Sequence, residues 1–309
     1  FDARSPETWR TFCTDMLGLP APVSNADGSD GFQLDDAVQR LVVEPGKADD
    51  LAAIGLELPS EDGLAELVAR VSAAGVAIER ADGALCRARR VQQLFRFRDP
   101  AGNRIEAYVG LASAGTPFVS DHFPGGFDTD LGIGHVALVH DDVDVMERFY
   151  VDVLGHAVTE RMSGRVGPLD MRGVFLHCNR RHHSIAVLDL PLPRRLHHFM
   201  LATEQHCAVG RAFERATQLG IPLSLGLGGH SDGTFSFYGA TPSGFDFEIG
   251  TSGDTIDPDL WRQVESSSDR VWGHEPTMRV KLQTLAGIVR RRLSSGRRRE
   301  LRIGAGEPT

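Results

Sequence analysis

One pattern occurs twice in this chain, 137 residues apart, and it limits the fold more than any other feature. Met146, Phe149, Tyr150, Val153 and Leu154 recur at helical spacing, and Gly155 ends the run. Asp144 and Glu147 have capping-box spacing at its start. Near the beginning of the chain, Ser5-Pro6 opens a second stretch with the same stripe: Trp9, Phe12, Cys13, Met16 and Leu17, closed by Gly18. A chain that repeats itself at this distance folds as two similar units rather than as one closed pattern.

A second pair of helices supports the same division. Val209, Ala212, Phe213, Ala216 and Leu219, ended by Gly220, match Leu64, Leu67, Val68, Val71 and Ala74, ended by Gly75. Each is followed by a strand, a turn and a strand. Phe235-Ser-Phe-Tyr238 leads through Thr241-Pro-Ser-Gly244 into Phe245-Asp-Phe-Glu-Ile249. The earlier version is Leu94-Phe-Arg-Phe97, Asp99-Pro-Ala-Gly102 and Arg104-Ile-Glu-Ala-Tyr108. Pro and Gly between extended runs are hairpin chemistry. The expected fold is α+β, with two tandem domains, each of two β-α-β-β-β modules. They span residues 1–112 and 130–250, joined by a Gly-, Pro- and Asp-rich bridge at 113–129. The strand equivalent to 134–138 is expected to lie before Phe1. Residues 251–309 form an extension, which from about 276 is expected to be a helix that frays into disorder. For 309 residues, two domains is the ordinary number.

Charge and cysteine content remove several classes of function. The net charge is −9, yet from Pro276 onward there are nine Lys or Arg and only two Asp or Glu. The body before that point is therefore strongly acidic, which argues against nucleic acid as a partner. The basic tail has no interleaved aromatics to stack on bases. No apolar run nears the roughly 20 residues that span a bilayer, so no membrane association is expected. Cys13, Cys86, Cys178 and Cys207 are scattered without a C-x-x-C pair. They read as reduced thiols of a cytoplasmic protein. Phe1-Asp-Ala-Arg4 does not have the form of a signal peptide.

The histidines are unevenly placed. All twelve lie at or after His122, eleven of them between His122 and His230. His135 lies in strand-like Gly134-His-Val-Ala-Leu138, and His197 and His198 in Leu196-His-His-Phe-Met-Leu201. Alternation puts Glu248 on the face opposite Phe245 and Phe247. A carboxylate in mid-strand is costly if buried unpaired. Two imidazoles and a carboxylate from three strands would satisfy both a divalent metal and one another, as in the facial triad of non-haem Fe(II) oxygenases. The residues leave a second reading open, in which the histidines are hydrogen-bonded core residues and Glu248 pairs with an Arg. In the first half Glu106 matches Glu248, but Ala53 stands where His198 stands, so only the second half is expected to hold metal.

Four segments carry a resemblance: Gly134-His-Val-Ala-Leu138, Phe175-Leu-His-Cys-Asn-Arg-Arg-His-His-Ser184, His197-His-Phe-Met-Leu201 and Ser236-Phe-Tyr-Gly-Ala-Thr-Pro-Ser-Gly-Phe-Asp-Phe-Glu-Ile-Gly250. Together they resemble the two-domain type I extradiol catechol dioxygenases of the vicinal oxygen chelate superfamily, most closely those acting on 2,3-dihydroxybiphenyl and 1,2-dihydroxynaphthalene. The likeness runs to about Trp272. It implies that His135, His198 and Glu248 hold Fe(II), with Mn(II) as the alternative. It implies that His183 is an active-site acid/base, and that His230 and Tyr238 act in catalysis and bind the substrate oxygens. Phe175 is the implied pocket wall. The reaction implied inserts both atoms of O2 into a catechol, opening the ring beside rather than between the hydroxyls. His177, His182 and His197 are expected to be structural or surface residues.

The sequence departs from the family at one loop. Gly228-Gly-His-Ser-Asp-Gly233 lacks the family's Arg and Asn and is one residue shorter, and Asp232 is expected to replace the acidic partner of the tyrosine. A bicyclic or biaryl catechol is the expected substrate, with a substituted monocyclic one, including a carboxylated one, as the alternative. A non-catalytic ligand-sequestering protein and a glyoxalase-like isomerase or lyase are the competing functions on this scaffold. A homo-oligomer is expected, with catechol and O2 as the small-molecule partners.

Overall fold

The computed structural model describes residues 1–166, 168–257 and 259–303. Four modules follow one another with the same topology. The first contains β1 (Asp2–Ala3), α1 (Pro6–Thr11), β2 (Val23–Ser24), β3 (Asp30–Phe32) and β4 (Leu41–Pro45). The second contains β5 (Ile54–Glu57), α2 (Glu61–Ala73), β6 (Glu79–Arg80), α3 (Gly83–Arg89), β7 (Gln93–Arg98) and β8 (Arg104–Val109). The third contains β9 (Val136–Val139), α4 (Val143–Arg148), β10 (Ala157–Val166), β11 (Leu169–His177) and β12 (Ile185–Leu188). The fourth contains β13 (Leu196–Thr203), α5 (His206–Gln218), β14 (Leu223–His230), β15 (Phe235–Ala240) and β16 (Asp246–Thr251). In each module the first strand runs parallel to the last, and the remaining strands pair antiparallel.

The halves differ in how their modules join. In the second half β9 also pairs antiparallel with β13, which fuses two modules into one ten-stranded sheet. In the first half two four-stranded sheets stay separate. Their first strands meet only near the isolated Asp2–Asp50 bridge. The strand expected before Phe1 is in fact represented by β1, in register with β4 from Asp2 to Ala3.

The repeated first helix shares a detail that spacing did not foretell. After α1 the chain widens into a π turn at Phe12–Met16, and after α4 into another at Phe149–Val153, again 137 residues on. Gly18 and Gly155 then take positive φ, which an L side chain would resist. The helix cap is Asp142, whose carboxylate accepts the Val145 N–H, not the expected Asp144, which pairs with Arg172. The inward stripe is buried as expected, and Trp9, Cys13, Met16, Met146 and Tyr150 are essentially inaccessible. Trp9 donates its indole N–H to Ser243 and packs against Phe245, so the two halves share one core. The bridge at 113–129 also belongs to it, through Phe123 packed against Phe127 with ring centroids 4.5 Å apart.

The extension is more ordered than its composition suggested. β17 (Val264–Ser266) adds in parallel to β10, and β18 (Arg270–Gly273) adds antiparallel to β14, at the two ends of the ten-stranded sheet. A helix, α6 (Met278–Ile303), follows. The frayed end expected beyond it lies outside the described residues. Among the described residues, no helix is long and apolar enough to cross a membrane.

Candidate metal centre and substrate cavity

The ten-stranded sheet curves around a cavity of about 280 Å³. Strand alternation decides what faces it. On β13, His198 turns inward, while Phe199 and Leu201 are buried in the core on the other face. On β16, Glu248 turns inward between Phe247 and Ile249, and on β15 Tyr238 does so after Phe237. β9, β13 and β16 are adjacent in the sheet, so three side chains from distant sequence meet at one level.

His135 was expected inside a strand but lies one residue before β9, held by its carbonyl accepting the Met200 N–H at 2.8 Å. Gly134, at φ 134°, lets the chain approach β13 so closely, for a Cβ there would lie 2.4 Å from the Met200 carbonyl oxygen. His198 follows a register break between Leu196 and His198. The extra residue of this bulge, His197, turns its ring onto His198, with the two Nδ1 atoms 2.6 Å apart.

The Nε2 atoms of His135 and His198 are 2.9 Å apart and lie 3.2 and 3.3 Å from the same Glu248 oxygen. Glu248 is wholly inaccessible, and neither of its oxygens accepts a well-aligned hydrogen bond. Burial opposes its ionisation, but the two imidazoles outweigh that and hold its pKa well below the usual carboxylate range. Burial keeps His135 on the neutral side, although Glu248 pulls the other way. An ionised carboxylate with unsatisfied lone pairs beside converging ring nitrogens is a donor set that suits a divalent cation. His135, His198 and Glu248 thus fit the metal that the sequence suggested.

The other expected residues surround this point. The His183 ring lies 4.1 Å from that of His135, and Phe175 stands edge-on to it at 5.0 Å. Burial first, then neighbouring His135, push the His183 pKa well down, so its imidazole is neutral. His230 Nε2 lies 2.8 Å from the Tyr238 hydroxyl and 3.7 Å from Glu248. Burial, then the Glu248 charge, raise the Tyr238 pKa far above normal, so it stays a phenol. Burial works against a charged His230, but nearby carboxylates outweigh it and lift the pKa to about 9.

One expectation is corrected. Asp232 lines the cavity but does not partner Tyr238. It accepts the Thr234 N–H, and its other oxygen lies 4.0 Å from His182. Of the two roles left to His182, structural or surface, the structure favours the first, for it is buried in the cavity wall with Nδ1 3.1 Å from His183 Nδ1. Sequence reading also missed Glu160, a buried cavity carboxylate that accepts the Ser266 hydroxyl. The mid-strand rule that finds Glu248 applies to it equally. Asp269 was missed as well, and nothing in the extension's composition marks it out. Among the described residues four carboxylates, Glu160, Asp232, Glu248 and Asp269, line the cavity with one guanidinium, that of Arg165, whose side chain is 69% exposed.

Residues 132–249 match the Glyoxalase/Bleomycin resistance protein/Dioxygenase superfamily, and residues 1–46 match the first domain of dihydroxybiphenyl dioxygenase BphC. The chain is 38% identical over 271 residues to the biphenyl-2,3-diol 1,2-dioxygenase of Paraburkholderia xenovorans, covering 86% of this chain and 90% of that one. It is 34% identical to an iron-dependent extradiol dioxygenase of Rhodococcus jostii, over 89% of this chain and 94% of the other. The crystal structure of BphC, a halotolerant catechol dioxygenase, superposes with a TM-score of 0.83 at 34% identity, over 91% of this chain and 93% of that one. The four-module architecture, the cavity it encloses and these similarities place the chain in the extradiol catechol dioxygenase family of the vicinal oxygen chelate superfamily.

Proposed function

We propose that this protein is a ring-cleaving dioxygenase for neutral catechols, bicyclic or biaryl ones foremost, with Fe(II) held by His135, His198 and Glu248. The observation that carries the proposal is the Glu248 carboxylate, fully buried and unsatisfied by hydrogen bonds beside two converging imidazole nitrogens. Two neutral nitrogens and one carboxylate on one side suit ferrous iron, and Mn(II) fits the same donors. The bound metal would supply a binding point for the two vicinal oxygens and for O2.

The protein's own groups do the rest. His183, neutral and buried, accepts a proton and returns it during turnover. Tyr238 donates its hydroxyl hydrogen and, with His230, fixes one substrate oxygen. Phe175 walls the ring beside His183, and Met162, Met171 and Leu188 offer an apolar face for a second ring. The cavity charge favours neutral substrates over the carboxylated catechols left open by the sequence. The bound metal and a cationic His230 would offset Glu248 and Asp269, which leaves Glu160 and Asp232 to oppose an entering carboxylate with one largely solvated guanidinium against them. Residues 130–250 are thus the catalytic unit, residues 1–112 the non-catalytic one, and 251–309 an extension whose strands β17 and β18 add to the two ends of the sheet. The four free cysteines fit work in the cytoplasm.

The test is oxygen uptake by anaerobically iron-loaded protein given 2,3-dihydroxybiphenyl, with formation of a yellow ring-opened product. Uptake with an equimolar yellow product is the expected result. Tight metal-independent binding without oxygen consumption by any catechol would establish a sequestering protein instead.

A further inference from the structure

The segment after β16 was expected to be an extension, and it completes the cavity wall. Between β17 and β18 the chain crosses the cavity, and Ser267, Ser268 and Asp269 line it. Asp269 is tied down twice. Its carbonyl accepts the Ser231 N–H at 2.8 Å, and its Oδ2 stands 3.5 Å from His230 Nδ1. His230 is thereby held on three sides. Asp269 meets one ring nitrogen, the Tyr238 hydroxyl meets the other, and the His274 ring stacks on its face at 4.4 Å. His274 is itself fixed by Nδ1 lying 2.9 Å from the Gly226 carbonyl oxygen.

An imidazole has two nitrogens, and the partner of one decides what the other presents. A carboxylate on Nδ1 keeps the hydrogen there and aims Nε2 at the reacting group. Here Nε2 points at Tyr238 and Glu248, the place where a bound catechol oxygen must lie. Without Asp269 the ring can rotate about its side-chain torsions, and the hydrogen on Nδ1 has no acceptor to aim it. We propose that Asp269 is a positioning residue for ring cleavage, acting through His230, so that residues 264–273 are part of the working site. This rests on the dioxygenase reading for its kinetic consequence, but not for its geometry.

The experiment compares Asp269→Ala, Asp269→Glu, His230→Phe and the double variant Asp269→Ala/His230→Phe. In Asp269→Ala, kcat is expected to fall about 10- to 100-fold, with iron content unchanged and KM moved far less than kcat. Asp269→Glu is expected to recover part of the loss. In the His230→Phe background, Asp269→Ala is expected to cost nothing more, because its effect passes through the ring. Losses that multiply in the double variant, or an unchanged kcat in Asp269→Ala, would overturn the proposal. Nitrogen NMR of histidine-labelled, zinc-loaded protein reads the geometry without turnover. An Nδ1 hydrogen of His230 bonded to Asp269, whose nitrogen signal shifts in Asp269→Ala, supports the assignment, and an unperturbed ring refutes it. Wild type that opens no catechol would defeat the functional reading alone, since the NMR result still decides the role of Asp269.

Discussion

His156 gives the most quantitative expectation in the molecule. It follows Gly155 at the end of the π turn, is 5% exposed, and stands edge-on to Tyr150 at 5.4 Å. Neither ring nitrogen has a hydrogen-bond partner. Burial first, then nearby His177, push its pKa from 6.5 to about 4. The unfolded chain therefore takes up a proton at a pH where the folded protein refuses it. Stability is complete above the unfolded pKa of 6.5 and is lost as pH falls toward 4. The shift corresponds to about 3 kcal/mol in full, and to about 2 kcal/mol by pH 5. His156→Phe keeps an edge contact with Tyr150 and removes the titration. Urea unfolding of both proteins, in the same metal state, at pH 7.5 and pH 5 isolates this residue from the other buried histidines. Wild type is expected to lose about 2 kcal/mol more than the variant over that interval. Parallel losses would show that His156 is not held neutral by burial.

Four further outcomes follow from the site and the core. Glu248→Gln keeps the side-chain volume but removes the charge, so metal analysis after dialysis is expected to show iron reduced to a small fraction of wild type; stoichiometric iron would take Glu248 out of the ligand set. His183→Ala is expected to retain iron and slow turnover about a hundredfold, and an unchanged rate would return His183 to a packing role. Arg89→Met leaves Glu106 buried without its closest partner and is expected to cost about 3–5 kcal/mol in urea unfolding, with iron content unaltered. A catechol bearing a ring carboxylate is expected to show kcat/KM at least tenfold below its neutral counterpart, narrowing in Glu160→Gln; equal efficiency would mean that the cavity carboxylates do not sense substrate charge.

Periodicity made much of this legible. Helical stripes locate α1, α2, α4 and α5 because each buries one face, and the Pro-Gly turns fix the hairpins β7–β8 and β15–β16. His198 and Glu248 could be singled out because a buried strand tolerates an ionisable side chain only with a partner. What stayed hidden depends on register or on contacts across the sequence. The bulge that aims His198 is one extra residue in a pairing, and no composition marks it. β17 and β18 are short and largely exposed, so they lack an apolar stripe and pass for tail. Asp269 and Glu160 gain their meaning from His230 and Ser266, which come from other parts of the chain. Asp144 satisfied a capping pattern, yet the chain turned two residues earlier and left it to Arg172.

The repeat sets up a controlled comparison inside one chain. Glu106 and Glu248 occupy the same place in their modules, each on the last strand and each buried. Opposite Glu248 stand His198 and His135, and its oxygens find no aligned hydrogen bond. Counting back along the parallel pairing, Ala53 takes the place of His198. Glu106 instead accepts Arg89 Nε at 2.7 Å and lies 3.1 Å from Arg104 Nε. Arg89 also reaches Glu44 and Asp27, making a buried cluster of both signs. The same electrostatic demand, a cation beside a carboxylate away from water, thus arises in both halves. In the first half the cation is a side chain supplied by α3, so it cannot leave and offers no open position. In the second half no Lys or Arg among the described residues lines the cavity beside Glu248, and on the proposed reading a metal ion meets the demand. An arginine can balance a carboxylate but cannot bind two substrate oxygens at once. The proposed chemistry therefore belongs to the half whose buried glutamate was left without one.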